Sequence, residues 1–161
     1  VIVVMKTTTS STKSLAAQAL ADMRKGTSGP LKSFSFLNEP VPASRPKVTR
    51  WGVYYGKRYT VWRKEAYPAA AAYDGTPTDK PVVVLVEAVM TKPKTGKLQT
   101  PRGDIDNYVK GPLDAMTAGK RFWKDDTQVV GLKAFKRYAE DGEVPGFFVH
   151  WIELEEFHDA S

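Results

Sequence analysis

Apolar positions along this chain alternate between two spacings, and the alternation predicts an α+β domain. Ser33-Phe34-Ser35-Phe36-Leu37 alternates polar and aromatic residues from Ser33 to Phe36, the period of a half-buried strand. From 59 to 73 the apolar residues Val61, Trp62, Ala66, Ala69, Ala70 and Tyr73 form a helical stripe, with Arg63, Lys64 and Glu65 off it. Pro68 lies inside that stripe and is expected to kink or split the helix. Residues 81–90 hold the near-continuous run Val82-Val83-Val84-Leu85-Val86, as expected of a central strand covered on both faces. Val109, Leu113 and Met116 return to helical spacing and predict a helix over 106–118, with Asp106 as its N-cap and a kink or later start at Pro112. Strands follow over 129–138 and 146–154. The Asp141-Gly142 turn between them predicts an antiparallel hairpin. The expected sheet is mixed, mostly antiparallel, with two main helices.

The ends and the first connection read differently. Residues 1–30 hold a segment over 6–14 rich in Thr, Ser and Lys and then offer one short helix, Leu15 to Arg24 with Ser14 as N-cap. They then break at Gly26-Thr27-Ser28-Gly29-Pro30. This stretch is expected to be a mobile basic extension, followed by one domain over 31–155 and a frayed acidic tail over 156–161. Pro40, Pro42 and Pro46 forbid regular structure before a hairpin, in which Trp51 and Tyr54 are expected to pack inward.

Composition narrows the chemistry. The 161 residues suffice for one domain with a substantial core. They contain no cysteine, which excludes disulfides and thiolate metal sites. No apolar run approaches the roughly 18 residues of a membrane span. Val1 to Val4 is too short for a signal-peptide core, so a cytoplasmic location is expected. The net charge of +6 is uneven: residues 1–60 carry +8 and residues 61–161 carry −2. A basic half beside an acidic cluster suits a polyanionic ligand. Arg45, Lys47, Arg50, Lys57 and Arg58 in the first half, with Lys94, Lys97 and Arg102 in the later polar loop, are the candidate phosphate contacts.

The acidic cluster places five carboxylates within 23 residues: Asp104, Asp106, Asp114, Asp125 and Asp126. Hard divalent cations need oxygen ligands from separate parts of the backbone, and with no thiolates such an ion is magnesium or manganese rather than zinc. Asp104 and Asp106 share a side if the backbone between them is extended, and Asp126 can complete the oxygen set from beyond the helix. Lys110 then serves as a cation toward a scissile phosphate. Asn107, Lys110 and Asp114 fall on one helical face, and Asp125 and Gln128 flank Asp126; these neighbours are candidates for supporting contacts. Each acid also has a commoner structural role, as N-cap, ion-pair partner of Lys110, or turn residue.

The run Asp104-Ile105-Asp106-Asn107-Tyr108-Val109-Lys110, then Leu113-Asp114-Ala115-Met116, then Trp123-Lys124-Asp125-Asp126-Thr127-Gln128, resembles the RusA family of Holliday junction resolvases. Pro42-Ala43-Ser44-Arg45-Pro46-Lys47 and Trp51-Gly52-Val53-Tyr54-Tyr55 are similar to the N-terminal motif of its phage-borne members. The resemblance implies a magnesium-dependent endonuclease, a homodimer that nicks four-way junctions and leaves 5′-phosphate and 3′-hydroxyl ends. It places the catalytic carboxylates on Asp104, Asp106 and Asp126 and the important lysine on Lys110. Gly103 and Pro112 depart from the commonest pattern, and residues 1–30 have no counterpart. A nuclease for flaps or other branched DNA, and a junction-binding protein that does not cut, are the alternatives.

Overall fold

Strand β4 (Val82–Met90) organises the molecule because it is apolar enough to be covered on both sides. The computed structural model describes residues 8–26, 29–95 and 99–155. Around β4 stand α1 (Thr8–Lys25), β1 (Lys32–Phe36), the short pair β2 (Lys47–Thr49) and β3 (Gly52–Tyr54), α2 (Lys57–Ala71), α3 (Ile105–Gly119), a 3-10 turn (Asp126–Gln128), β5 (Val129–Tyr138) and β6 (Gly146–Glu153). The main sheet has the order β1-β6-β4-β5, while β2 and β3 pair only with each other. The fold is α+β with a mixed sheet: β4 is parallel to β5 and antiparallel to β6, which is antiparallel to β1.

The period of two along β4 divides the core. Val82, Val84, Val86, Ala88 and Met90 face the larger cluster, with Trp62, Ala66 and Ala70 of α2 and Ala115 and Met116 of α3. Leu85 faces the other way and meets Ile152 of β6 and Ala19 and Met23 of α1. Three aromatic side chains, Trp123, Trp151 and Phe147, are fully buried in the larger cluster, and the Trp123 indole donates to Thr117 Oγ1 at 2.9 Å.

Several expectations are corrected here. The strands over 129–138 and 146–153 do not form a hairpin, because β4 lies between them. Next-nearest strands in a sheet are only about 10 Å apart, a gap that the connection 139–145 spans easily. The described part of the N-terminal stretch is not separate from the core: α1 supplies the third helix and covers the second face of the sheet. Lys13 ties it further to Glu140 at 2.9 Å. Residues 1–7 and the tail 156–161 lie outside the described residues. Helices α2 and α3 each run as one element through Pro68 and Pro112, so Pro68 does not split its helix and Pro112 does not delay the start of its own. Asp104 rather than Asp106 is the N-cap of α3, with extended backbone and a carbonyl that accepts the Asn107 and Tyr108 amides at 3.1 and 3.3 Å.

Candidate active site and nucleic-acid interface

The connection from β4 to α3 delivers the first two carboxylates, and its last residues are held from three sides. Tyr108 Oη donates to the Arg102 carbonyl at 2.6 Å, Tyr138 Oη to Thr100 at 3.2 Å, and Lys136 Nζ to Pro101 at 2.8 Å and also to Gly103. Gly103 has φ +95°, and a Cβ there would meet the Tyr108 ring at 3.0 Å. That left-handed bend turns the chain directly into the helix, so Asp104 caps and Asp106 lies in the first turn. The extended spacing that would set both carboxylates on one side therefore does not occur, because Ile105 is already helical. Both acids are exposed, and Asp104 makes no side-chain capping bond.

The second acidic pair is built by Gln128. Its Oε1 accepts the Lys124 and Asp125 amides at 2.8 and 2.9 Å, and its Nε2 donates to the Thr78 and Lys80 carbonyls at 2.8 and 3.0 Å. Asp125 accepts the Thr127 amide at 2.9 Å and completes a capping box with Gln128. The Thr127 bond holds the Asp125 carboxyl below its ordinary value. Asp125 is thus the cap of the turn, and Asp126, its first residue, is presented to solvent.

Lys110 bonds Asp114, one turn on, at 3.1 Å. Lys110, Asp114 and Asp126 line one cleft of about 390 Å³ beside Val130 and Leu132 of β5, whereas Asp104 and Asp106 lie outside it. Among the described residues no three His, Asp or Glu side chains come together as a metal site. The expected convergence of Asp104, Asp106 and Asp126 on one ion is therefore not formed within the single chain. Connectivity explains this, since Asp104 follows the C-terminal end of β4 while Asp126 precedes the N-terminal end of β5, its parallel neighbour.

The candidate phosphate contacts gather around the first connection. Arg45, Lys47, Arg50, Lys57 and Arg58 are all exposed, as are Lys94 and Arg102, while Lys97 lies outside the described residues. Arg58 and Arg102 share a second cleft, of about 400 Å³, with Glu39, Tyr108 and Tyr138. Lys57 and Arg58 open α2, where cations oppose the helix dipole and contribute nothing to helix stability. The basic segment is joined to the acidic one through Ala43, whose amide donates to the Asn107 carbonyl at 2.8 Å. Trp51 and Tyr54 do not pack inward; they are 75% and 53% exposed, because a pair of three-residue strands encloses no core. Lys136 was not marked by the sequence: a lysine in a strand reads as solvated, and only the topology shows it beneath the loop.

A model of the family described as "Endodeoxyribonuclease RusA" matches residues 38–146, well over half of the chain. The chain belongs to the RusA family. The RusA match takes in the basic hairpin, α2, β4, the whole acidic stretch and β5, and leaves out α1, β1 and all of β6 but its first residue. A curated relative, the uncharacterized protein YqaN of Bacillus subtilis (strain 168), is 49% identical over 45 residues. These are 28% of this chain and 30% of the relative, so the chain spans less than a third of that protein.

Proposed function

We propose that this RusA-family chain is an endonuclease of branched DNA, acting as a homodimer that introduces paired nicks into four-way junctions. Each cut would hydrolyse a phosphodiester to 5′-phosphate and 3′-hydroxyl ends. The family match over 38–146 carries the reading, because it encloses every candidate site residue. The chain's own residues support it in two ways. Exposed cations of residues 45–58 can hold phosphates on either side of a cut, and the bond from Ala43 to Asn107 fixes that segment to the helix bearing Asp106 and Lys110. Lys110, already beside one acid, can move its charge onto a scissile phosphate when DNA arrives.

Magnesium, with manganese as substitute, remains part of the proposal because the donor set is all hard oxygen. The three carboxylates do not assemble into an ion site within one chain, so the metal's role rests on the family likeness. The exposed Val130 and Leu132 on β5, an edge strand beside Asp126, support a second subunit there. The separation of Asp126 from the Asp104–Asp106 pair favours, as a second reading, a junction-binding protein that does not cut.

The test uses labelled four-way, flap and linear DNA with the parent chain and Asp106→Asn, in magnesium or in chelator. Symmetric junction nicking by the parent alone, abolished by chelation, is the expected result. Preferential flap cutting would change the substrate, binding without cutting by both chains would favour the second reading, and equal cutting by the variant would refute the site.

A further inference from the structure

The hairpin β2–β3 offers cations to phosphates, but its exposed aromatic tip is still without a role. All six of its strand residues are exposed, and it pairs with no other strand. Isolated two-stranded hairpins are marginal in water, yet this one holds a defined tip. Its connection is Arg50-Trp51, followed by Gly52 at φ +135°, a conformation that suits glycine. Thr49 Oγ1 accepts the Trp51 amide at 3.2 Å and donates to the Gly52 carbonyl at 3.3 Å, while Tyr54 Oη donates to the Trp51 carbonyl at 3.3 Å. The Arg50 guanidinium lies 4.7 Å from the centre of the Trp51 ring, at cation–π distance. The base of the arm is fixed as well, by Gly56 N–H to Ser44 Oγ at 2.8 Å and by Ala43 to the first turn of α3.

A three-quarters exposed tryptophan at the end of a fixed arm calls for an occupant. Charge selects between the two candidates. Residues 40–64 contain seven Lys/Arg and no Asp/Glu. A second copy docking arm to arm would press this all-cationic segment against itself, whereas DNA meets it with phosphates and offers flat bases to the ring. Linear duplex keeps its bases stacked, and opening a step for a wedge is costly. At a branch point the terminal pairs of each arm have already lost part of their stacking, so insertion there is easiest.

We propose that Trp51 is a specificity-determining wedge that stacks on a base at the branch point, with Arg50 holding the ring and contacting the adjacent phosphate. The inference rests on the proposed action on branched DNA and assigns junction preference to one side chain.

The test uses the full chain in chelator, so that nothing is cut, with a four-way junction and a linear duplex of matching sequence. 2-Aminopurine is placed either at the branch point or in mid-arm. The expected result is a fluorescence change at the branch point only, lost in Trp51→Ala and kept in Trp51→Phe. Junction affinity of Trp51→Ala should fall about tenfold or more, from base–aromatic stacking, while duplex affinity falls less than about twofold. Equal losses on both DNAs, a Trp51→Phe chain as weak as Trp51→Ala, or a shift in self-association by Trp51→Ala would each overturn the wedge. If the parent does not prefer the junction at all, the proposed function falls and takes the wedge with it. If the parent does prefer it and Trp51→Ala retains that preference, only the wedge falls.

Discussion

Replacing Gln128 with alanine should release the turn that presents Asp126. The side chain makes four hydrogen bonds of 2.8 to 3.0 Å, two accepted from Lys124 and Asp125 and two donated to Thr78 and Lys80. A hydrogen bond contributes about 0.5–1.5 kcal/mol net. Gln128 is half-buried and water can replace some partners, so the low end applies and the sum is about 2 kcal/mol. For a domain of this size that lowers Tm by roughly 4–8 °C. Further strain falls on the isolated bridge between Thr78 and Trp123 and on the ion pair of Lys124 with Asp79, which tie the same two segments. Hydrogen exchange at the Lys124 and Asp125 amides should accelerate by about tenfold or more, in step with the local loss. Junction nicking should fall much further than junction binding, since Asp126 moves and the cationic arm does not. Gln128→Glu makes the sharper control: it keeps the acceptor for the two amides but turns a carboxylate toward two carbonyl oxygens, and should be at least as damaging as alanine. An alanine variant with unchanged melting and unchanged exchange at Lys124 and Asp125 would refute the clasp.

Two further outcomes follow from charge. Arg137 is buried in β5 and bonds both Glu87 and Glu143, and its hydrogen bond pushes the Glu143 carboxyl down to about 2 from an ordinary 4.5. A depressed folded-state value means that this pair stabilises fully above about pH 5 and loses its contribution as pH falls toward 2. The gap in urea midpoint between parent and Glu143→Gln should therefore narrow over that range, and a gap constant with pH would remove Glu143 as its source. Arg45→Ala should weaken DNA binding more at low salt than at high salt and reduce the slope of log affinity against log salt by about one; an unchanged low-salt affinity would take Arg45 off the contact surface.

How much of this was legible beforehand depended on whether a pattern had one physical solution. The run Val82 to Val86 admits only a strand covered on both faces, and β4 is that strand. Val109 and Met116 could only be the buried stripe of a helix, as they are in α3. The order of strands had several solutions, because the connection after Tyr138 allows either direct pairing or a skip across β4. Trp51 was equally ambiguous, since sequence registers an aromatic residue but not whether its hairpin is wide enough to enclose it. The cap of α3 turned on Gly103, whose positive φ puts the N-cap at Asp104, two residues before the expected Asp106. Asn107, Asp114, Asp125 and Gln128 were visible as neighbours of the acids. Their distinct duties emerged only from hydrogen bonds that cross between loops.

The position of β6 has a consequence for how the chain comes off the ribosome. It follows every other described strand in the chain, yet it pairs with both β1 and β4, joining Lys32 to Trp151 and Val84 to Trp151. Until residues 146–153 emerge, β1 has no partner in the main sheet and β4 has one side open. Contacts this distant in sequence close slowly, and an apolar β4 waiting with an unpaired edge is a target for aggregation. The nascent protein is therefore expected to need shielding from the time β4 emerges until β6 does, and to complete the main sheet in a late, largely concerted step.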